Sequence, residues 1–295
     1  MIFPGAKADS SFPDCGTTSQ LSVASLRSSD FVEWERGPVV FTTPPAWIRD
    51  VAPTQRGHFW APDVIEQDGR FLLYYSVSAF GLRTSAIALA TTPTLDPADA
   101  ACRWTDDGIV IQTQADSDHN AIDPCVVRGE RGALWLAFGS FWTGIKLVEL
   151  DPKSGKRIAP DSPVHSLAWK DEIEAAAIYR HGDHYYLFVN WGRCCRGVKS
   201  TYNIRVGRSR AITGPYIDRE GVDLRKGGGT LFLGTEGRFV GPGHAGILED
   251  GGKEWISYHF YDAETNGRAT LAVRPLGWSA DGWPELQGDP VTPRK

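Results

Sequence analysis

Short apolar runs bounded by Gly, Pro, Asp and Asn recur along the whole chain, and no segment keeps apolar residues at helical spacing for three turns. Four runs are rich in aromatic or β-branched residues and follow a glycine turn. They are Phe71-Leu-Leu-Tyr-Tyr75 after Gly69, Leu134-Trp-Leu-Ala-Phe138 after Gly132, Tyr185-Tyr-Leu-Phe-Val189 after Gly182, and Trp255-Ile-Ser-Tyr258 after Gly252. A shorter apolar stretch precedes each turn: Val64-Ile65, Val126-Val127, Ile178-Tyr179 and Ile247-Leu248. The turn glycines lie 63, 50 and 70 residues apart, a loose repeat with room for a four-stranded sheet in each interval. Third strands are predicted at Ser85–Ala90, Ile145–Leu150 and Tyr202–Gly207, and fourth strands at Gly108–Ile111 and Gly229–Leu233. Loose repeats of this kind predict an all-β fold of meandering blades around one axis.

No low-complexity linker divides the chain, so the expectation is a single domain, a five-bladed β-propeller. The blades fall at roughly 1–57, 58–118, 119–170, 171–238 and 239–295. The first is irregular, with strands predicted at Phe31–Trp34 and Val39–Phe41 only. Ring closure then predicts that the Trp283 region packs near this N-terminal blade.

A polar residue stands just ahead of each repeat, within Trp60-Ala-Pro-Asp63, Ala121-Ile-Asp-Pro124, Ile173-Glu-Ala-Ala176 and Gly243-His-Ala-Gly246. In a propeller equivalent positions converge on the axis, which brings Asp123, Glu174 and His244 together.

Composition narrows the function classes. The chain has 295 residues, 41% hydrophobic and 23% charged, as in an ordinary globular protein. A net charge of −5 without a Lys/Arg cluster argues against nucleic-acid binding. No apolar stretch approaches the roughly 20 residues of a membrane span. The 11 Trp serve mostly as filler between sheets, with two or three expected as platforms for sugar rings. The opening residues show no signal peptide, so the expectation is a cytoplasmic protein, or a secreted or periplasmic one whose leader has been removed. The five Cys have no metal spacing, and the adjacent Cys194-Cys195 reads either as two free thiols or as a vicinal disulfide shaping a pocket rim.

Cleaving a glycosidic bond takes one carboxylic acid to protonate the leaving oxygen and a second carboxylate to activate water or attack carbon. The acid must stay protonated near neutral pH, which needs burial or a neighbouring negative charge. Glu174 lies among Ile173, Ala175, Ala176, Ala177 and Ile178, surroundings that suit a proton donor. Asp123, on the neighbouring blade, supplies the nearby charge. Singly, Asp123-Pro124 reads as a turn, Glu174 as a solvated strand edge and His244 as a structural imidazole. Jointly they favour the catalytic reading.

Several segments together resemble the arabinanases of glycoside hydrolase family 43. They are His58-Phe-Trp-Ala-Pro-Asp63, Tyr74-Tyr-Ser-Val-Ser-Ala-Phe-Gly81, Asn120-Ala-Ile-Asp-Pro124, Phe138-Gly-Ser-Phe-Trp142, Ile173-Glu-Ala175, Trp191-Gly-Arg-Cys-Cys-Arg196, Ser200-Thr-Tyr202, Gly227-Gly-Gly229 and Gly243-His244. The resemblance implies a five-bladed propeller that cleaves α-1,5-linked L-arabinofuranosyl chains, arabinan or arabino-oligosaccharides, with inversion. It implies Glu174 as general acid, Asp123 as the carboxylate that raises and orients it, and His244 beside an axial ion, calcium or another, held largely through water. It further implies Trp60 and Phe80 as apolar walls of sugar subsites, Asn120, Ser140, Cys194 and Cys195 as groups lining the cleft, and Trp142 among the substrate-binding residues.

Two departures stand out. Where the family carries its general-base Asp, this chain has Phe3, and Ala176 stands where the family usually has Pro. Asp9 or Asp14 is then the substitute base, or the chain is a weakened or non-catalytic arabinan-binding propeller. The missing blade-one strands also predict an open sheet edge, hence pairing of two copies of the chain.

Overall fold

The computed structural model describes residues 23–52 and 59–294. The chain is an all-β propeller. A two-stranded sheet pairs β1 (Ala24–Arg27) with β2 (Glu35–Val39), and one helical turn, α1 (Ile48–Val51), follows. Four antiparallel sheets of four strands come next, each a meander in chain order. The first holds β3 (Trp60–Gln67), β4 (Arg70–Ser78), β5 (Ser85–Thr92) and β6 (Thr105–Thr113). The second holds β7 (Cys125–Arg128), β8 (Leu134–Phe138), β9 (Ile145–Leu150) and β10 (His165–Ala168). The third holds β11 (Ile173–His181), β12 (His184–Trp191), β13 (Asn203–Ser209) and β14 (Thr230–Leu233). The fourth holds β15 (Phe239–Asp250), β16 (Lys253–Asp262), β17 (Arg268–Trp278) and β18 (Pro284–Leu286).

The core is layered between neighbouring sheets, which is why the central strands read as near-continuous apolar runs. Leu72, Tyr74 and Ile87 of one sheet pack on Leu134, Leu136 and Phe138 of the next. Ala137, Ile145 and Leu147 meet Ile178, Tyr185 and Leu187 across the following gap. Phe188 and Val206 then meet Phe260 and Ala272. Burying each large side chain contributes about 1.5–3 kcal/mol, so these gaps fix the ring.

The beginning of the ring differs from expectation in three ways. Among the described residues there are four four-stranded sheets and one two-stranded sheet, so five full blades are not seen. Phe31–Trp34 is a turn and not a strand. Ser28 Oγ accepts from Phe31 N–H at 2.8 Å, Asp30 Oδ1 accepts from Val32 and Glu33 N–H at 2.8 and 2.9 Å, and Phe31 has φ of 64°. Such local caps outcompete sheet pairing. Finally, Trp283 does not lie on the N-terminal sheet. It packs with Tyr186, and the guanidinium carbons of Arg208 and Arg219 stand 4.5 and 5.4 Å from its ring. The C-terminal end does return to the first sheet, through Arg294 N–H to Val32 C=O at 3.0 Å and Arg294 Nη1 to Glu33 at 2.9 Å.

Candidate active site

Each innermost strand is broken where it meets the axis. Ala61, Asp123, Ala175 and His244 have φ of 42°, 57°, 55° and 57°, values that cost a residue with a Cβ about 1 kcal/mol or more. Register shifts accompany three of them, at Trp60/Asp63, Glu174/Ala177 and Gly243/Gly246. A β-bulge re-aims the local side chain, and Asp123, Glu174 and His244, from three of the four sheets, meet at a shared hub.

Asp123 and Glu174 come together there. Asp123 is buried, its Oδ2 accepts from Ala175 N–H at 3.1 Å, and its own N–H donates to Ser76 Oγ at 3.0 Å. Burial raises its pKa to about 7, against the opposing pull of the Ala175 N–H. Glu174 is half-buried with both oxygens engaged: Tyr202 OH donates to Oε1 at 2.6 Å and Ser140 Oγ to Oε2 at 3.0 Å. Burial raises its pKa most, the Asp123 carboxylate adds to this, and Tyr202, Ser140 and His244 oppose it. Both carboxyls resist ionisation, and the second to lose its proton must do so against the charge of the first.

His244 joins them. Its backbone N–H donates to Asn190 Oδ1 at 2.8 Å, and burial pushes the pKa of its imidazole down against the pull of Glu174. Behind it, His259 is pushed down to about 3 by burial and by His244, and its Nε2 has no hydrogen-bond partner. No three His, Cys, Asp or Glu side chains among the described residues cluster as a metal-holding group. The side-chain donor near the axis is the His244 imidazole, whereas calcium takes about six to eight oxygen ligands in all.

Asn120 and Ser140 are buried and joined, Ser140 N–H donating to Asn120 Oδ1 at 2.9 Å. Trp60, at the hub end of β3, pairs with Ser76, the residue that accepts from Asp123. Phe80 (79% exposed) and Trp142 (38% exposed) stand on loops at the same face. Neither reading of the two cysteines holds. Cys194 is a free thiol and Cys195 is disulfide-bonded, though not to its neighbour; their sulfurs are 2.7 Å apart. Burial, then the Glu174 and Asp123 carboxylates, push the Cys194 thiol up, which places it beside the acid pair. Asp9, Asp14 and Phe3 lie outside the described residues.

Two groups were missed as individuals. Tyr202 and Asn190 hold the acid and the histidine from β12 and the turn that follows it. The signal for Tyr202 was its place in Ser200-Thr-Tyr202. Asn190, a polar residue wholly buried at the end of an apolar strand, carried a local one. Asp63 also has a place unforeseen as such: its carboxylate accepts from Val126 N–H at 2.7 Å and Val64 N–H at 2.9 Å, pinning one sheet to the next.

Comparison with known proteins gives the family. Residues 10–284 match Glycosyl hydrolases family 43. Extracellular exo-alpha-(1->5)-L-arabinofuranosidase ArbA of Cellvibrio japonicus (strain Ueda107) is 42% identical over 273 residues, 88% of this chain and 78% of the relative. Extracellular endo-alpha-(1->5)-L-arabinanase 1 of Bacillus subtilis (strain 168) is 39% identical, covering 91% of this chain and 81% of the relative. The structure of Cellvibrio cellulosa alpha-L-arabinanase complexed with arabinohexaose superposes with a TM-score of 0.85 at 41% identity, over 90% of this chain and 88% of that one. With most of its length matched, and a carboxyl pair at the hub, the chain belongs to glycosyl hydrolase family 43 and is a glycosidase.

Proposed function

We propose that this chain hydrolyses α-1,5-linked L-arabinofuranosyl bonds in arabinan or arabino-oligosaccharides, with inversion at the anomeric carbon. The observation that carries the reading is Glu174, a carboxyl with both oxygens held and with Asp123 at its side. Glu174 starts protonated and gives its proton to the leaving oxygen as the bond breaks. Asp123 stays on the enzyme as the charge that keeps that proton in place and, through Ala175 N–H, fixes the strand carrying the acid. A second carboxylate on the opposite face of the sugar takes a proton from the attacking water. We assign it to the chain's opening stretch, with Asp9 and Asp14 as candidates. Trp60, Phe80 and Trp142 form the apolar walls, and Asn120, Ser140 and Cys194 line the polar floor. An ion beside His244 would lend positive charge to the hub. The matched relatives carry glycosidase names, which supports turnover over binding alone.

The ring is read as five-bladed, with β1, β2 and α1 in the fifth position. Val40, Phe41 and Ile48 pack on Leu73, Tyr75 and Ala88 at one side, and Phe31 meets Trp255 at 5.0 Å on the other.

Sugar release from linear 1,5-arabinan tests the assignment. Glu174→Ala is expected to lose about 10²–10⁴-fold in rate, the usual size of acid–base assistance. Equal release by both proteins removes Glu174 as the acid, and no release by the unaltered protein removes the substrate.

A further inference from the structure

All 11 tryptophans lie among the described residues, and only Trp142 and Trp169 are exposed, at 38% and 42%. The two are joined: Trp169 Nε1–H donates to Trp142 C=O at 3.0 Å. Trp142 follows Ser140 on the β8–β9 loop, and Trp169 follows the end of β10, on the same face of the sheet. The backbone that carries Trp142 is strained, with φ of 52° at Phe141 and 38° at Trp142. Strain of about 1–3 kcal/mol per residue persists only where the surroundings over-determine it. Here Phe141 N–H donates to Ile173 C=O at 2.7 Å, Gly144 N–H to Phe141 C=O at 2.6 Å, and Thr143 Oγ1 to Asp118 C=O at 2.8 Å. Gly144 lets this loop seat against Trp169, since a Cβ there would lie 2.2 Å from Ala168 C=O and 3.0 Å from Trp169 Cα. Trp169 is held from the other side by its N–H to Leu224 C=O at 2.9 Å.

Two indoles about four-tenths exposed, one bonded to the main chain that carries the other, are poor filler; Arg83 Cζ stands 5.8 Å from the Trp142 ring, and the electron-rich ring faces suit the polarised C–H faces of a sugar. The pair also lies in line with the acid. Ser140 bonds Glu174, the Phe141 N–H reaches Ile173 beside Glu174, and the loop then leads outward to β10. From β7 at the axis to β10 is three strand spacings, about 14 Å. A chain of a few furanose units crosses that span.

We propose that Trp142 and Trp169 form a two-indole platform that holds furanose rings of the substrate chain beyond the bond cut at Glu174, making the enzyme prefer longer chains. The inference rests on the proposed action on α-1,5-arabinan.

Its test is the dependence of kcat and KM on chain length, from arabinobiose to arabinohexaose, for the unaltered protein, Trp169→Ala and Trp169→Phe. Trp169→Ala is expected to raise KM for arabinohexaose about tenfold, the worth of one aromatic contact, with kcat unchanged and arabinobiose within about twofold. Trp169→Phe keeps an aromatic face and recovers most of the affinity. Unchanged KM for arabinohexaose, or a kcat loss shared by every length, overturns the platform. If the unaltered protein cuts no arabinan, the reading of its function fails, and calorimetry of arabinohexaose on Glu174→Gln with and without Trp169→Ala still decides the platform. Equal affinities, or no binding, overturn it.

Discussion

Gly243 and Tyr202 meet so closely that a methyl group on the glycine would lie 2.2 Å from the phenol ring. The missing side chain at Gly243 is therefore the space in which the donor to Glu174 sits. Gly243→Ala is expected to displace Tyr202 and lower turnover on arabino-oligosaccharides about tenfold or more, since small misplacements near the chemistry are costly. Steady-state kinetics check this, with circular dichroism to confirm that the sheets persist.

Tyr202→Phe removes a hydrogen bond that favours the charged form of Glu174. The acid's pKa then rises, and the alkaline limb of the pH–rate profile is expected to move to higher pH. An unmoved limb would show that the phenol does not set the acid.

Asp123→Asn has the opposite sign. The neighbouring negative charge is gone, Glu174 loses its proton more easily, and the alkaline limb is expected to move to lower pH. The amide oxygen still accepts from Ala175 N–H, so the strand position is kept. Profiles of both variants, measured side by side, form one experiment with two directions.

Asp63 offers a test of stability. Burial raises its pKa to about 6 from an ordinary 3.8. A carboxyl raised on folding contributes stability at low pH and loses it as pH rises through the folded pKa. Asp63→Asn keeps one acceptor for two N–H donors and is expected to cost about 1–3 kcal/mol at pH 4. The gap to the unaltered protein should narrow toward pH 7. Thermal melts across that range measure it, and a gap that widens with pH contradicts the assignment.

Much of the ring was legible because its strands are buried on both faces. Leu134–Phe138 and Ile145–Leu150 were read with their observed bounds, since apolar side chains there leave water whichever way they point. The first sheet was misread because Val32 looks like a strand residue, while Ser28 and Asp30 decide its backbone. His165–Ala168 passed unnoticed, a four-residue strand at the outside of its sheet with a mixed pattern. Trp283 was misplaced because the arginines that attract it, Arg208 and Arg219, stand far from it in sequence. At the site, the periodic positions Asp123, Glu174 and His244 were visible from the repeat alone. Tyr202 reaches Glu174 within one sheet and Asn190 reaches His244 from the neighbouring one, pairings over 28 and 54 positions that the repeat spacing does not mark.

The left-handed turn at the mouth of each innermost strand has a consequence for how such a protein changes. Ala61, Asp123, Ala175 and His244 share a left-handed backbone; two of the site groups, Asp123 and His244, occupy that position, and Glu174 stands one residue before it. New chemistry at this centre can thus arise by exchanging one residue, leaving the surrounding architecture as it stands.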